Sequence, residues 1–155
     1  RRAERYNQRS TLVLITGPES PDKQDLANRL EERLFLDGKF VYSLGAGNIK
    51  RGLSADIQEV PVSPDEHIRR LAEVSHLFLD AGAILIVNSE RLDQEDLDLI
   101  RVPVNPGAIL TVWAGSQVTT DIDVSVHIPD PADSDGAVEQ IKSALRRMGA
   151  IYSPY

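Results

Sequence analysis

The sequence predicts an α/β domain built as a three-layer sandwich, in which a five-stranded, mostly parallel sheet lies between helices on both faces. Short apolar runs rich in β-branched residues alternate with segments of helical periodicity. The apolar runs are too continuous for strands with one solvated face, so they are typical of buried parallel strands. Right-handed crossovers between such strands cover both faces of the sheet with helices.

Each element has its own signal. The strands are predicted at residues 11–16, 39–44, 83–88, 108–113 and 123–128. Apolar residues recur at helical spacing from Leu26 to Leu34, from Ile68 to Leu79 and from Val138 to Met148. The predicted helix stops are Gly38, Gly82 and Gly149.

Composition and charge limit the function. The 155 residues are 41% apolar and 26% charged, which suits one globular domain. A net charge of −7 argues against general affinity for nucleic acid or anionic membranes, because polyanion binding needs clustered cations. The absence of cysteine excludes disulfides and thiolate metal sites. No apolar run approaches the ~18 residues of a membrane span and the start lacks a signal peptide, so the expected location is cytoplasmic.

The start of the chain indicates a part of a longer protein. It has no initiator Met, and the charged stretch RRAERYNQR precedes the first strand. Residues 1–10 are therefore expected to be a connecting segment, and residues 11–155 the folded domain. The expected partners are other domains of the longer chain.

The stretch between the first strand and the first helix has the position of a phosphate-binding loop. Such a loop reads G-x-x-x-x-G-K-[ST], because its backbone N–H groups turn inward around phosphates and its lysine reaches them. Gly17 and Lys23 match this pattern. Asp22 replaces the second glycine, and Gln24 replaces the hydroxyl residue that would hold Mg²⁺.

Other residues in the same stretch work against anion binding. Pro18 and Pro21 each lack a backbone donor, and Glu19 and Asp22 place negative charge where phosphates would lie. A lysine in a first helical turn is also commonly just a solvated surface residue. We therefore predict that residues 17–23 do not form the usual phosphate cradle.

The order of three further stretches carries a specific resemblance. LEERLFLDGKFVYSL, then GNIKRGLSADI, then EHIRRLAEVSHLFLDAGAILIV is similar to the adenylylsulfate (APS) kinase family, and the match runs from about Leu12 to Val87. The resemblance implies a P-loop kinase fold with the first strand in the centre of the sheet. It also implies transfer of the ATP γ-phosphate to the 3′-hydroxyl of APS, with ATP and Mg²⁺ required only if this activity is retained.

The resemblance keeps scaffold residues and loses chemical ones. The family's "DGDN" segment corresponds to residues 45–48, where Gly45 and Gly47 replace both acids and Asn48 remains. Lys50 stands where the family has an arginine that contacts the substrate. Arg69 belongs to a match to the family's "ENIRR". The family's basic lid corresponds to residues 114–123, which contain no Lys or Arg.

Several of these polar residues also have a structural interpretation. Asn48 could cap a helical turn as well as contact a ligand. Arg69 and Arg70 have Glu66 and Glu73 at helical spacing, which favours a surface ion pair for at least one of them. The three histidines have no surrounding pattern of a triad or a metal site. The acidic run at 90–99 suits a solvated helix face.

Three functional hypotheses follow. The preferred one is a catalytically inactive APS kinase-like domain with a structural or regulatory role in a larger sulfate-assimilation protein, where a sulfate adenylyltransferase-type GTPase domain is an expected neighbour and a homo-oligomer is compatible. The second is a non-catalytic domain that binds a nucleotide or sulfonucleotide through Lys23, Asn48, Lys50 and Arg69. The third is an active adenylylsulfate kinase with displaced machinery. No catalytic or metal-binding residue is assigned.

Overall fold

The computed structural model describes residues 8–45, 64–90 and 92–152. In chain order the elements are β1 (Thr11–Thr16), α1 (Pro21–Leu36), β2 (Val41–Gly45), α2 (Pro64–Asp80), β3 (Ile84–Asn88), α3 (Gln94–Ile100), a 3₁₀ turn (Pro106–Ala108), β4 (Ile109–Ala114), β5 (Val126–Ile128) and α4 (Ser134–Arg147).

The five strands form one parallel sheet in the order β2-β3-β1-β4-β5. The prediction of a parallel sheet with the first strand in its centre is therefore confirmed. β1 pairs with β3 from Thr11 to Ile15 and with β4 from Leu12 to Thr16. This order brings the carboxyl end of β1 between those of β3 and β4, so the loops that follow these strands meet.

The two edge strands, β2 and β5, begin two and three residues later than predicted. β2 begins at Val41 because the Gln8 side chain occupies the Phe40 N–H, and β5 begins at Val126. Before β5, the Thr111 hydroxyl donates to the Asp123 carbonyl at 3.0 Å. Side chains thus take up backbone groups that the apolar pattern assigned to the sheet ladder.

Helices cover both faces of the sheet, and each face has its own apolar core. One core joins α1 and α4 to the inward side chains Val13, Ile15, Ile84 and Ile86. The other joins α2 and α3 to Leu12, Leu14, Leu85 and Val87. Because neighbouring residues of a strand point to opposite faces, β1 and β3 are apolar at nearly every position.

The helix boundaries follow local signals. The Ser20 side chain caps α1, and the paired Asp93 and Asp96 side chains form a capping box at α3. The predicted stops at residues 38, 82 and 149 are glycines with positive φ after α1, α2 and α4. The acidic run forms the solvated face of α3, whose Leu97 and Ile100 are buried.

The first described residues are attached to the sheet. Gln8 is 3% exposed, and its side-chain amide donates to the carbonyls of Phe40 and Gly82, both at 2.9 Å. Gln8 also bridges to Ile151 near the end of the chain. In the described part of the chain, no helix is long and apolar enough to cross a membrane.

Candidate functional site

The loops after β1 and β3 enclose an open pocket of about 310 Å³ at the carboxyl edge of the sheet. Gly17, Pro18, Glu19 and Glu90 line it. This is the place that a parallel α/β sheet offers to ligands, and it lies where the sequence analysis put the phosphate-binding loop. The pocket presents two carboxylate side chains, which makes its lining acidic.

Gly17 is required by packing at the end of the central strand. Its φ is +143°, and a Cβ atom added there would lie 2.4 Å from the carbonyl oxygen of Ala114 at the end of β4. A side chain at this position would clash with backbone atoms, which cannot move aside by changing rotamer. The glycine is therefore explained by the close approach of β1 and β4, without a bound phosphate.

At the start of α1, the protein's own side chain binds one of the backbone N–H groups that would otherwise be available to an anion. α1 begins at Pro21, and the Ser20 hydroxyl accepts a hydrogen bond from the Lys23 backbone N–H at 3.1 Å. Pro18 and Pro21 have no N–H group. The first turn of the helix is thus capped by the protein's own side chain.

Lys23 is buried, which corrects the interpretation of this residue as a solvated surface lysine. The residue is only 2% exposed. Its Nζ donates to the carbonyl oxygens of Gly17 at 3.1 Å and Ser89 at 2.6 Å. Burial lowers the pKa of Lys23, while the charges of Glu19 and Glu90 oppose the shift. The ammonium group therefore links the loop after β1 to the end of β3.

Glu19 and Glu90 lie together at the mouth of the pocket. A hydrogen bond between their carboxyl groups, followed by their mutual repulsion, raises the pKa of Glu19 above its ordinary value. Lys23 partly offsets this effect. Two neighbouring carboxyl groups are a poor environment for the oxygens of a polyphosphate, because an added anion would meet like charge there.

Thr16 makes a second connection between the same two loops, and the sequence analysis did not identify it. Its hydroxyl donates to the Glu90 carbonyl at 2.8 Å and accepts from the Leu92 N–H at 2.9 Å. Ser89 was also missed, because it contributes a carbonyl oxygen that no side-chain pattern can reveal. The position of a hydroxyl residue at the end of a central strand was the available signal for Thr16.

The side chains beside the pocket form a neutral amide network. Asn88 Nδ2 donates to Gln24 Oε1 at 2.8 Å, and Gln24 Nε2 donates to Asn28 Oδ1 at 3.1 Å. Gly45 is the register partner of Asn88 and provides no carboxylate. Within the described residues, Asn88 Oδ1 is buried without a hydrogen-bond partner.

The segment at the position of the family's lid is attached to α3. The Thr120 hydroxyl donates to the Leu92 carbonyl at 2.7 Å, and Asp121 accepts from the Gln94 N–H at 2.9 Å. The buried Trp113 side chain donates to the Gln117 carbonyl at 2.9 Å. Residues 114–123 contain only acidic and neutral side chains, so this segment supplies no cation to the pocket.

The other candidate ligand residues do not join Lys23 in one described site. Arg69 lies on the surface of α2 with its side chain 58% exposed, where it pairs with Glu66 at 3.9 Å. Arg70 pairs with the same carboxylate group at 3.7 Å, so the expected surface ion pairs are confirmed. Asn48 and Lys50 lie outside the described residues.

The described residues do not fit ATP with Mg²⁺ in the usual way. The lysine that would approach a phosphate is held by two carbonyls, the hydroxyl position is Gln24, and the pocket rim is acidic. No group of three or more residues able to hold a metal ion occurs in the described ranges. The polar groups of this loop are thus bonded to other groups of the protein rather than directed into the pocket.

Comparison with known proteins identifies relatives over most of the chain. The adenylylsulphate kinase family model matches residues 9–120. The adenylyl-sulfate kinase of Geotalea uraniireducens is 30% identical over 98% of this chain and 70% of its own length. The bifunctional enzyme NodQ of a Rhizobium species is 38% identical over 56% of this chain and 14% of its own.

A solved structure supports the same fold. The APS kinase CysC of Mycobacterium tuberculosis has a TM-score of 0.72 and 22% identity, and it covers 90% of this chain and 99% of its own. At this level of identity the similarity shows the P-loop kinase fold alone.

Proposed function

Because the chain belongs to the adenylylsulfate kinase family, we propose that it is a non-catalytic member with a structural or regulatory role in a larger sulfate-assimilation protein. The observation that carries the proposal is the environment of Lys23. Its ammonium group is held by the Gly17 and Ser89 carbonyls beneath a pocket lined by Glu19 and Glu90.

Phosphoryl transfer depends on several groups that position and neutralise the phosphates together. This chain departs from the family at all three parts: the phosphate-loop pattern is changed, Gly45 stands in place of an acid, and the segment at the lid position has no basic residue. The effects of removing such groups on the catalytic rate do not add, since removing the first group already abolishes most of the rate enhancement. Inactivity is thus expected even if one of the three sites were repaired.

The alternative function is adenylylsulfate kinase activity, that is, ATP and APS converted to ADP and PAPS. It is favoured by the names of the relatives, and Asn48, Lys50 and Arg69 would then be its remaining substrate contacts. A domain that binds a sulfonucleotide without turnover would use the same residues together with Lys23. The NodQ relative supports a neighbouring domain in a longer chain, for which a sulfate adenylyltransferase-type GTPase domain remains our proposal.

The test is an assay of PAPS formation with radiolabelled ATP and APS. We expect no turnover from the unmodified protein, from Gly45→Asp, or from the loop variant that combines Asp22→Gly with Gln24→Ser. Gly45→Asp supplies an acid without an oriented phosphate, and the loop variant supplies a cradle without an acid. A functional APS kinase serves as the positive control.

Turnover by the unmodified chain would overturn the proposal if it rises linearly with protein concentration and is absent from a folded Lys23→Ala variant. Calorimetric titration with ADP, APS and PAPS separates the two non-catalytic hypotheses. Heat with a sulfonucleotide alone favours the binding domain. The absence of heat with all three favours the structural or regulatory role.

A further inference from the structure

A second pocket, of about 470 Å³, lies between α4 and the edge strand β5. It is larger than the pocket of about 310 Å³ after β1 and β3, and the two share no lining residue. Its lining residues are Ser125, Val126, His127, Glu139, Gln140, Ser143 and Arg147. We call this pocket the β5 groove. Only Val126 among these residues is apolar, so the groove does not suit an apolar ligand.

The groove follows the backbone of the edge strand. Side chains of consecutive strand residues point to opposite faces of a sheet. A space bordered by all three of Ser125, Val126 and His127 therefore lies along the edge of the strand. β5 pairs with β4 on its inner side, and no described strand pairs with its other side. The open side of β5 is thus one wall of the groove.

The backbone of Val126 is directed towards the groove. The Ser125 N–H donates to the Thr111 carbonyl on β4 at 3.1 Å. Because successive residues of a strand direct their backbone groups to alternate sides, the N–H and carbonyl of Val126 point away from β4. The Val126 side chain is 8% exposed and belongs to the core beneath α4. Its backbone can therefore bind another chain while its side chain holds the strand in place.

The opposite wall of the groove is one face of α4. Gln140, Ser143 and Arg147 are three and four residues apart, so their side chains lie along the same side of the helix. From Glu139 to Arg147 the helix rises by about 12 Å, which is the length of about four residues of an extended chain. The groove thus combines a strand edge with a row of polar side chains, which is typical of sites that add a peptide strand to a sheet.

The groove has one cation whose charge is not offset. Arg33 on α1 donates to Glu139 at 2.9 Å and offsets the charge of that carboxylate. The His127 ring is engaged as well, since its Nε2 donates to the Gly115 carbonyl at 2.7 Å. Arg147 is exposed in the last turn of α4 and forms no ion pair with any residue that the structure describes. The groove is therefore complementary to negative charge at the Arg147 end.

We propose that the β5 groove binds an extended segment of a partner polypeptide, which adds to β5 as a sixth strand and places an acidic side chain at Arg147. The Val126 N–H and carbonyl provide hydrogen bonds that any extended chain can make. Arg147 selects a segment with a carboxylate at the matching position. This binding goes beyond the proposed function, because it uses no residue of the pocket after β1.

NMR titration of the isotope-labelled 155-residue chain tests the proposal. The probe is the capped pentapeptide TVEVT, whose β-branched residues favour an extended conformation and whose only charge is one glutamate. The comparison peptide TVQVT differs from it by that carboxylate. We expect TVEVT to shift the amide signals of the groove residues with a Kd of about 1 mM. TVQVT should bind about threefold more weakly or less, because an exposed ion pair contributes little more than this.

The Val126 amide separates strand addition from simple charge attraction. In strand addition this N–H gains a hydrogen bond, so its exchange with solvent should slow about threefold or more when most of the chain is bound. The Ser125 N–H is already bonded to β4 and should change less. Sodium acetate at the same concentration has a carboxylate but no backbone, and it should leave the exchange of the Val126 amide unchanged.

Arg147→Glu tests the charge, and Arg146→Glu is its matched control. Both arginines are exposed in the last turn of α4, where a cation interacts favourably with the helix dipole, but only Arg147 lines the groove. The two substitutions change the net charge and the helix end alike. We expect Arg147→Glu to weaken TVEVT binding about fivefold or more, and Arg146→Glu to change it less than about twofold. Unchanged amide signals outside α4 and β5 show that both variants are folded.

The proposal is wrong if TVEVT does not bind at up to about 5 mM, or if it binds Arg147→Glu as tightly as Arg146→Glu. Equal binding of TVEVT and TVQVT would also overturn it. If binding depends on Arg147 but the Val126 amide is not protected, the groove is a site for small anions and the added strand is excluded. None of these results depends on whether the domain binds nucleotides or has kinase activity.

Discussion

β1 and the loop that follows it are adjacent in the chain but differ in what their residues do. All six residues of β1 are buried, and its apolar side chains fill the cores on both faces of the sheet. The loop contains a proline and an acid. The Lys23 ammonium group ties it to the end of β3, and the Thr16 hydroxyl binds the backbone that follows β3. A fold can thus be preserved by its interior while the residues at the strand ends change their chemistry.

The largest effect is expected in the interior of the sheet. Leu14→Ala removes a side chain that is 1% exposed and leaves a cavity between β1 and the α2 side of the sheet. We expect a loss of about 2–5 kcal/mol in the free energy of unfolding, measured with urea.

Val102→Ala is the control, since Val102 is 83% exposed. A Leu14→Ala loss no larger than that of the control would remove the contrast between the strand and the loop.

The second prediction tests whether Lys23 is structural. Lys23→Met keeps the apolar stem but removes the donor to the Gly17 and Ser89 carbonyls. We expect a loss of about 1–3 kcal/mol without any nucleotide, because two buried acceptors lose their partner.

Arg69→Met is its control, since an exposed ion pair contributes at most about 1 kcal/mol. If Lys23→Met is as stable as the unmodified protein, or more stable, the ammonium group does not hold the loops together and a ligand-binding role gains support.

The smallest effect concerns the carboxyl group of Glu19, which lies beside that of Glu90. Because the folded-state pKa of Glu19 is raised, its contribution to stability is present below the ordinary value of 4.5 and is lost as the pH rises through the raised pKa. Glu19→Gln supplies its own hydrogen-bond donor at every pH. The melting temperature of this variant should therefore gain on that of the unmodified protein as the pH rises from about 4 to about 8.

Asp22→Gln is the matched control, because it also removes one negative charge near the start of α1. A difference between Glu19→Gln and the unmodified protein that stays constant with pH would contradict the raised pKa of Glu19.

The sequence predicted the sheet well because burial on both faces leaves a continuous apolar pattern in β1 and β3. It predicted the outer strands less exactly, because Gln8 and Thr111 bind backbone groups near β2 and β5. For the candidate site, the pattern showed which phosphate-loop residues were replaced. It did not show that Lys23 is buried, since a lysine in the first turn of a helix is commonly a solvated surface residue.

The sequence by itself determined the fold class, the central position of β1 through the family resemblance, and the loss of the phosphate-loop pattern. Only the tertiary structure decided what replaced that pattern. Ser89 and Gly17 act through carbonyl oxygens, which every residue has, so their role depends on the distance between two loops far apart in the chain.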